Sequence, residues 1–245
     1  MKSLLIFLSL FFSAASAFAA GHAVTYAVNG EQFEGYYVSP KAGAPFVLLV
    51  HDWDGLTDYE KKRAEMLAKM GYAVFAVDLF GKGVRPTVLE EKQKLTGALY
   101  GDRERMRALL NGGMAAAKSA GGNLQNAAAI GYCFGGAAIL ELARSGADLK
   151  GFVAFHGGLE TPAGQDYNQT KGKVLVLHGS ADSHVSLADF AALASELEMA
   201  GIPHEMITYS GAPHAFTVFG SDSYRKDADE KSWQRFGEFL KETLR

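Results

Sequence analysis

The chain has 245 residues, 48% of them apolar, and a formal net charge of −3. This length and apolar content suit a single domain with a sizeable core. The charge is close to neutral and no run of Lys or Arg forms a stripe, so composition gives no support for binding nucleic acid or an anionic membrane surface.

Lys2, the apolar stretch Leu4 to Phe12 and the small-x-small triplet Ala17-Phe18-Ala19 form the pattern of a secretory signal peptide spanning residues 1–19. The apolar run is too short for a membrane span, which needs about 20 such residues, so cleavage just before Ala20 is expected. The mature protein, residues 20–245, is then expected to be exported, free of the membrane, and periplasmic in a Gram-negative host. It holds one cysteine, which cannot close an intramolecular disulfide; such a thiol is either inert and buried or reactive.

Val24 to Val28 and Gln32 to Val38 alternate around Asn29-Gly30, which predicts a β-hairpin on a type I′ turn. Phe46 to Val50 reads as a buried strand, followed by a helix from Asp58 to Met70 and a strand from Tyr72 to Val77. Helices are predicted from Pro86 to Leu99 and from Asp102 to Ser119. A strand from Ala127 to Gly131 leads through a glycine-rich turn into a helix ending near Ser145. Phe152 to Phe155 and Lys173 to His178 are strands, Leu187 to Met199 is a helix, Glu205 to Tyr209 a strand, and Asp229 to Leu244 a closing helix. Strands that alternate with helices predict an α/β fold: one mostly parallel sheet with helices on both faces, and the hairpin as its antiparallel edge.

Gly131-Tyr132-Cys133-Phe134-Gly135 lies between an apolar strand and a helix, the setting of a G-x-nucleophile-x-G elbow. A nucleophile there occupies a sharp turn, so the residues two places away must lack side chains. The helix N-terminus adds free N–H groups and partial positive charge, which favour a thiolate and a developing oxyanion. Asp182 follows the strand Lys173 to His178, and His214 follows the last strand. Cys133, Asp182 and His214 therefore come in the chain order of nucleophile, orienting acid and base.

With these motifs the chain resembles the dienelactone hydrolase family of α/β-hydrolases from Phe46 through Leu244. The match rests on Gly131 to Gly136, Gly179 to Asp182, Pro213-His214-Ala215-Phe216 and His51-Asp52-Trp53-Asp54-Gly55-Leu56. The resemblance implies a Cys-His-Asp triad that opens small esters or lactones, with the backbone N–H groups of Trp53 and Phe134 as the oxyanion hole. It also implies a nucleophile-modulating role for Asp52, where the family usually carries glutamate. Two arginines hold the substrate carboxylate in the name-giving enzymes; this chain has Lys82 and Val218 at those places. An ammonium and an isopropyl group do not reproduce a guanidinium clamp, so an anionic lactone is expected to gain no advantage over a neutral enol ester. Trp53, Phe80 and Phe134 are expected to wall the pocket, with Lys82 and Phe80 as substrate-binding candidates.

No cofactor is expected. Gly81-Lys82-Gly83 is too short and wrongly placed for a phosphate loop, and His51, His156, His178 and His184 lack a metal-ligand spacing such as H-E-x-x-H. Two rival readings are a non-catalytic exported binding protein on the same fold and a thiol redox protein. The first predicts a degraded triad; the second wants a resolving cysteine, as in C-x-x-C.

Overall fold

The computed structural model describes residues 20–244, so the expected signal peptide, residues 1–19, lies outside the described residues. The antiparallel hairpin comes first: β1 (His22–Val28) and β2 (Glu31–Val38) pair in a register that sets Val28 opposite Glu31. Asn29 and Gly30 both take positive φ, 50° and 84°, as a type I′ turn requires.

The remaining elements in chain order are β3 (Pro45–Val50), α1 (Asp58–Lys69), β4 (Ala73–Val77), α2 (Leu89–Gly101), α3 (Arg103–Ser119), β5 (Asn123–Tyr132), α4 (Phe134–Arg144), β6 (Gly151–Phe155), β7 (Lys173–Gly179), α5 (Leu187–Met199), β8 (His204–Tyr209) and α6 (Lys226–Thr243). They build an eight-stranded sheet in the order β1-β2-β4-β3-β5-β6-β7-β8. The strands from β4 to β8 in that order are parallel to one another, and β2 joins β4 antiparallel.

Alternation along the central strands sorts the core into two halves. Phe46, Leu48 and Val50 of β3 pack with Leu99, Met106, Leu110, Ile139 and Leu193, under α2 to α5. Val47 and Leu49 face the other way, with Leu67 of α1 and Phe236 and Leu240 of α6. Each central strand thus buries both faces, which is why these strands are continuous apolar runs.

Three boundaries differ by three residues or more from those predicted. β5 begins at Asn123 rather than Ala127, because its polar first residues extend the strand at the half-exposed end of the sheet, where hydrophobicity gives no signal. α2 begins at Leu89 rather than Pro86, after Val88 in extended conformation and with no side-chain cap. α6 begins at Lys226, a turn before Asp229.

Asp229 is the end of α6 that matters most. Its carboxylate accepts a hydrogen bond from Arg63 Nη2 of α1 at 2.5 Å, and the two side chains are 6% and 1% exposed. The guanidinium lies among the rings of Tyr59, Phe219 and Trp233 and also donates to the carbonyl of Thr217 at 2.8 Å. Removing one partner of a buried ion pair leaves the other uncompensated. Asp229→Ala is therefore expected to lower unfolding free energy by about 3–5 kcal/mol in chemical denaturation, whereas a loss under about 1 kcal/mol would show that the pair is dispensable.

Candidate active site

β5 ends at Tyr132, and Cys133 is the cap residue of α4, with φ 52° and ψ −114°. A non-glycine residue in such a conformation carries roughly 1–3 kcal/mol of strain, so the surrounding structure must hold it. Close backbone approach does so. A Cβ on Gly131 would lie 2.1 Å from the carbonyl oxygen of Gly135, and one on Gly135 would lie 2.4 Å from that of Val50. The Cys133 N–H donates to the Phe155 carbonyl at 3.1 Å, and its own carbonyl accepts from Gly136 at 3.0 Å.

The loops after β7 and β8 bring the other two groups. His214 Nε2 lies 3.0 Å from Cys133 Sγ, and His214 Nδ1 lies 2.7 Å from Asp182 Oδ2. Asp182 Oδ1 accepts from the N–H groups of His184 and Val185 at 2.8 and 3.0 Å, which orients the carboxylate. Burial opposes charge on both partners. For Asp182 the hydrogen bond from His214 outweighs it and draws the carboxyl down to about 2. For His214 the bonds to Asp182 and Cys133 outweigh it and push the imidazole up to about 10.

The His214 loop is pinned from behind. Thr217 Oγ1 is hydrogen-bonded to Tyr59 Oη at 2.7 Å and to His156 Nε2 at 2.8 Å, while Arg63 holds its carbonyl. His156 is fully buried, its ring centre lies 5.3 Å from that of His214, and burial holds its pKa well below the ordinary value. His51 has a comparable supporting place. Its Nδ1–H donates to the Asp52 carbonyl at 2.6 Å and its Nε2 accepts from the Leu79 N–H at 3.0 Å, joining the loop after β3 to the end of β4. His184 lies beside His214, ring centres 5.2 Å apart, and His178 packs on Phe190, but among the described residues no three His, Cys, Asp or Glu side chains converge as metal ligands.

A cavity of about 470 Å³ opens on Cys133 and His214, with Trp53, Phe134, Tyr100 and Arg103 in its walls. The backbone N–H groups of Trp53 and Phe134 have no acceptor among the described residues. The candidates from sequence divide. Phe80 is not in the cavity wall but packs behind it, its ring tilted against Phe134 at 5.6 Å and edge-on to His51 at 4.6 Å. Lys82 is outside the cavity: its ammonium bonds Thr25 at 3.2 Å and pairs with Glu34 at 3.5 Å on the hairpin, since the turn after β4 carries it toward that edge. Asp52 is buried, yet its Oδ1 accepts from the Asp54 N–H at 2.7 Å, a tight local turn that directs the shorter side chain to its own loop. Burial raises its pKa. Val218 lies in the loop beyond His214 and is absent from the cavity wall.

Tyr100 and Arg103 were missed in the sequence. They flank the junction of α2 and α3, where Asp102 accepts from the Arg105 N–H as a helix cap. An Arg after a capping Asp reads as a solvated first turn. Only the packing of Tyr100 against Phe134, ring centres 5.4 Å apart, brings the pair to the site.

A mostly parallel sheet with a strained elbow at its centre, and Asp182 and His214 on the loops after β7 and β8, is the architecture of an α/β-hydrolase. The chain belongs to the dienelactone hydrolase family, whose model matches residues 33–244. A curated relative from Methylorubrum extorquens, named "Putative carboxymethylenebutenolidase", is 25% identical over 220 residues, which cover 84% of this chain and 76% of that protein. A dienelactone hydrolase-like promiscuous phosphotriesterase from metagenomic libraries superposes with a TM-score of 0.85 and 29% identity, over 92% of this chain and 98% of the other. The structure named m3DLH gives 0.86 and 30% over the same shares.

The His214–Asp182 pair makes stability depend on pH in a definite direction. The raised imidazole contributes stability in full below its ordinary value of 6.5 and loses it as pH rises through about 10. The depressed carboxyl contributes in full above 3.8 and loses it as pH falls through about 2. The drop in Tm caused by His214→Asn is therefore expected to be greatest between pH 3.8 and 6.5 and to shrink toward pH 10. A drop that grows with rising pH would contradict the ion pair.

Proposed function

We propose that the protein hydrolyses small ester or lactone bonds by acyl transfer through Cys133. One observation carries this reading: the continuous chain from Asp182 through His214 to Cys133 Sγ, at 2.7 and 3.0 Å, on the floor of a cavity. His214, held in one orientation by Asp182, holds the proton of the Cys133 thiol as an imidazolium beside a thiolate, and the sulfur attacks the ester carbonyl. The N–H groups of Trp53 and Phe134 receive the developing oxyanion. The tetrahedral intermediate collapses to a thioester as His214 protonates the departing alkoxide or enolate. His214 then deprotonates a water that attacks the thioester, and protonates the sulfur as the acid leaves. Good leaving groups such as enols suit this route, because the thiolate is itself readily expelled from the first intermediate. A non-catalytic binding role is not favoured, since all three side chains are in bonding contact; a redox role lacks a second cysteine.

Iodoacetamide is expected to modify Cys133 in the folded protein and to abolish hydrolysis of p-nitrophenyl and enol esters. Cys133→Ala is expected to lower kcat/KM on the order of 10³-fold or more. Full activity after stoichiometric alkylation would remove Cys133 from the reaction.

The same proposal extends to location: the protein is exported, periplasmic in a Gram-negative host, and begins at Ala20 once its signal peptide is removed. Amino-terminal sequencing of exported material is expected to read Ala20 first, and retention of Met1 would overturn it.

A further inference from the structure

The family resemblance directs attention to Lys82 and Val218 for anion recognition, and neither reaches the cavity. A different cation does. Arg103 opens α3 and lines the same cavity as Cys133, with its guanidinium stacked 4.9 Å over the ring of Tyr100. Its Nε and Nη1 atoms are shut off from solvent and have no hydrogen-bond partner among the described residues. Its nearest anion is Glu141 Oε2, 3.8 Å from Nη1 and outside hydrogen-bonding distance.

Glu141 does not need Arg103. Its fully buried carboxylate already accepts from Arg107 Nε at 2.6 Å, Arg144 Nη2 at 2.9 Å and Gln165 Nε2 at 3.2 Å. Three guanidinium groups therefore surround one carboxylate, and Arg103 is the one left without a bond. Burial also pushes its pKa below the ordinary value, as expected for a cation stripped of water without full compensation. Two acidic residues share the cavity wall. Asp189 is engaged with the Ser186 N–H and hydroxyl in the cap of α5, and Glu160 is exposed and forms no ion pair with Arg103.

We propose that Arg103 is a specificity-determining residue that binds a carboxylate on the substrate, remote from the bond cleaved at Cys133, so that the preferred substrates are anionic esters or lactones. This rests on the hydrolase reading of the site and departs from the expectation, drawn from Lys82 and Val218, that an anionic substrate gains no advantage. A guanidinium is a strong donor to carboxylate, and Nη2, the nitrogen of this group that is not shut off from solvent and also has no hydrogen-bond partner among the described residues, offers a donor to a carboxylate in the cavity.

The test compares the mono-p-nitrophenyl ester of glutaric acid with neutral p-nitrophenyl butyrate on wild type, Arg103→Gln and Arg103→Lys at one ionic strength. Wild type is expected to favour the anionic ester by tenfold or more in kcat/KM. Arg103→Gln is expected to erase that preference while keeping turnover of the neutral ester, which also reports that the variant is folded, and Arg103→Lys to keep part of it. An unchanged ratio in Arg103→Gln overturns the assignment. A second readout does not depend on turnover: glutarate is expected to protect Cys133 of wild type from iodoacetamide, and Arg103→Gln to need at least tenfold more glutarate for equal protection. If neither ester is hydrolysed, the hydrolase reading fails, and protection alone decides for or against Arg103; equal protection of both proteins overturns it.

Discussion

The close packing of α4 against β3 and β5 is the constraint on which the rest of the site depends. Gly131 and Gly135 touch backbone where any Cβ would collide, and the chain can pass only by turning sharply at Cys133. That turn sets the sulfur above the carboxyl ends of the parallel strands and at the N-terminus of a helix whose first N–H groups are free. It also fixes the distance that the loops after β7 and β8 must bridge. The strain at Cys133 is held by hydrogen bonds to Phe155 and Gly136, so the nucleophile proposed here sits on the rigid centre of the sheet.

The histidine needs a different device, because it arrives on a loop. Its support is a buried polar chain that crosses from α1 to α6: Tyr59, Arg63, Thr217, His156 and Asp229 are hydrogen-bonded into one network behind His214. Such networks cost desolvation and repay it mainly through geometry. Here the geometry gained is that of the imidazole, which must meet both a carboxylate and a sulfur at bonding distance. His51 serves the opposite wall in the same way, kept neutral by burial that lowers its pKa to about 4, and holds the loop that carries the Trp53 N–H.

Most of the fold was legible because its signals are local. Continuous apolar runs marked the central strands, Asn29-Gly30 marked the hairpin, and glycine spacing marked the elbow. The candidate triad was legible for the same reason, since each member directly follows a strand. The walls of the cavity were not. Arg103 and Tyr100 come from a helix junction some thirty residues before the elbow, and nothing in their neighbours distinguishes them from a solvated turn. Lys82 failed in the converse way: its place in the family pattern put it near substrate, while Thr25 and Glu34 of the hairpin hold it at the sheet edge. Polar wall residues depend on how elements pack together, and a pattern read along one chain does not carry that information.

The central claim is that an acyl group is carried on Cys133, and trapping that intermediate tests it most directly. The protein is mixed with an excess of p-nitrophenyl acetate, quenched in acid during turnover, and examined by intact and peptide mass spectrometry. The predicted result is a gain of one acetyl group, located on Cys133, removed by neutral hydroxylamine as a thioester is, and absent from Cys133→Ala. Steady hydrolysis with no acyl group on Cys133, or with the group on another residue, would contradict the account.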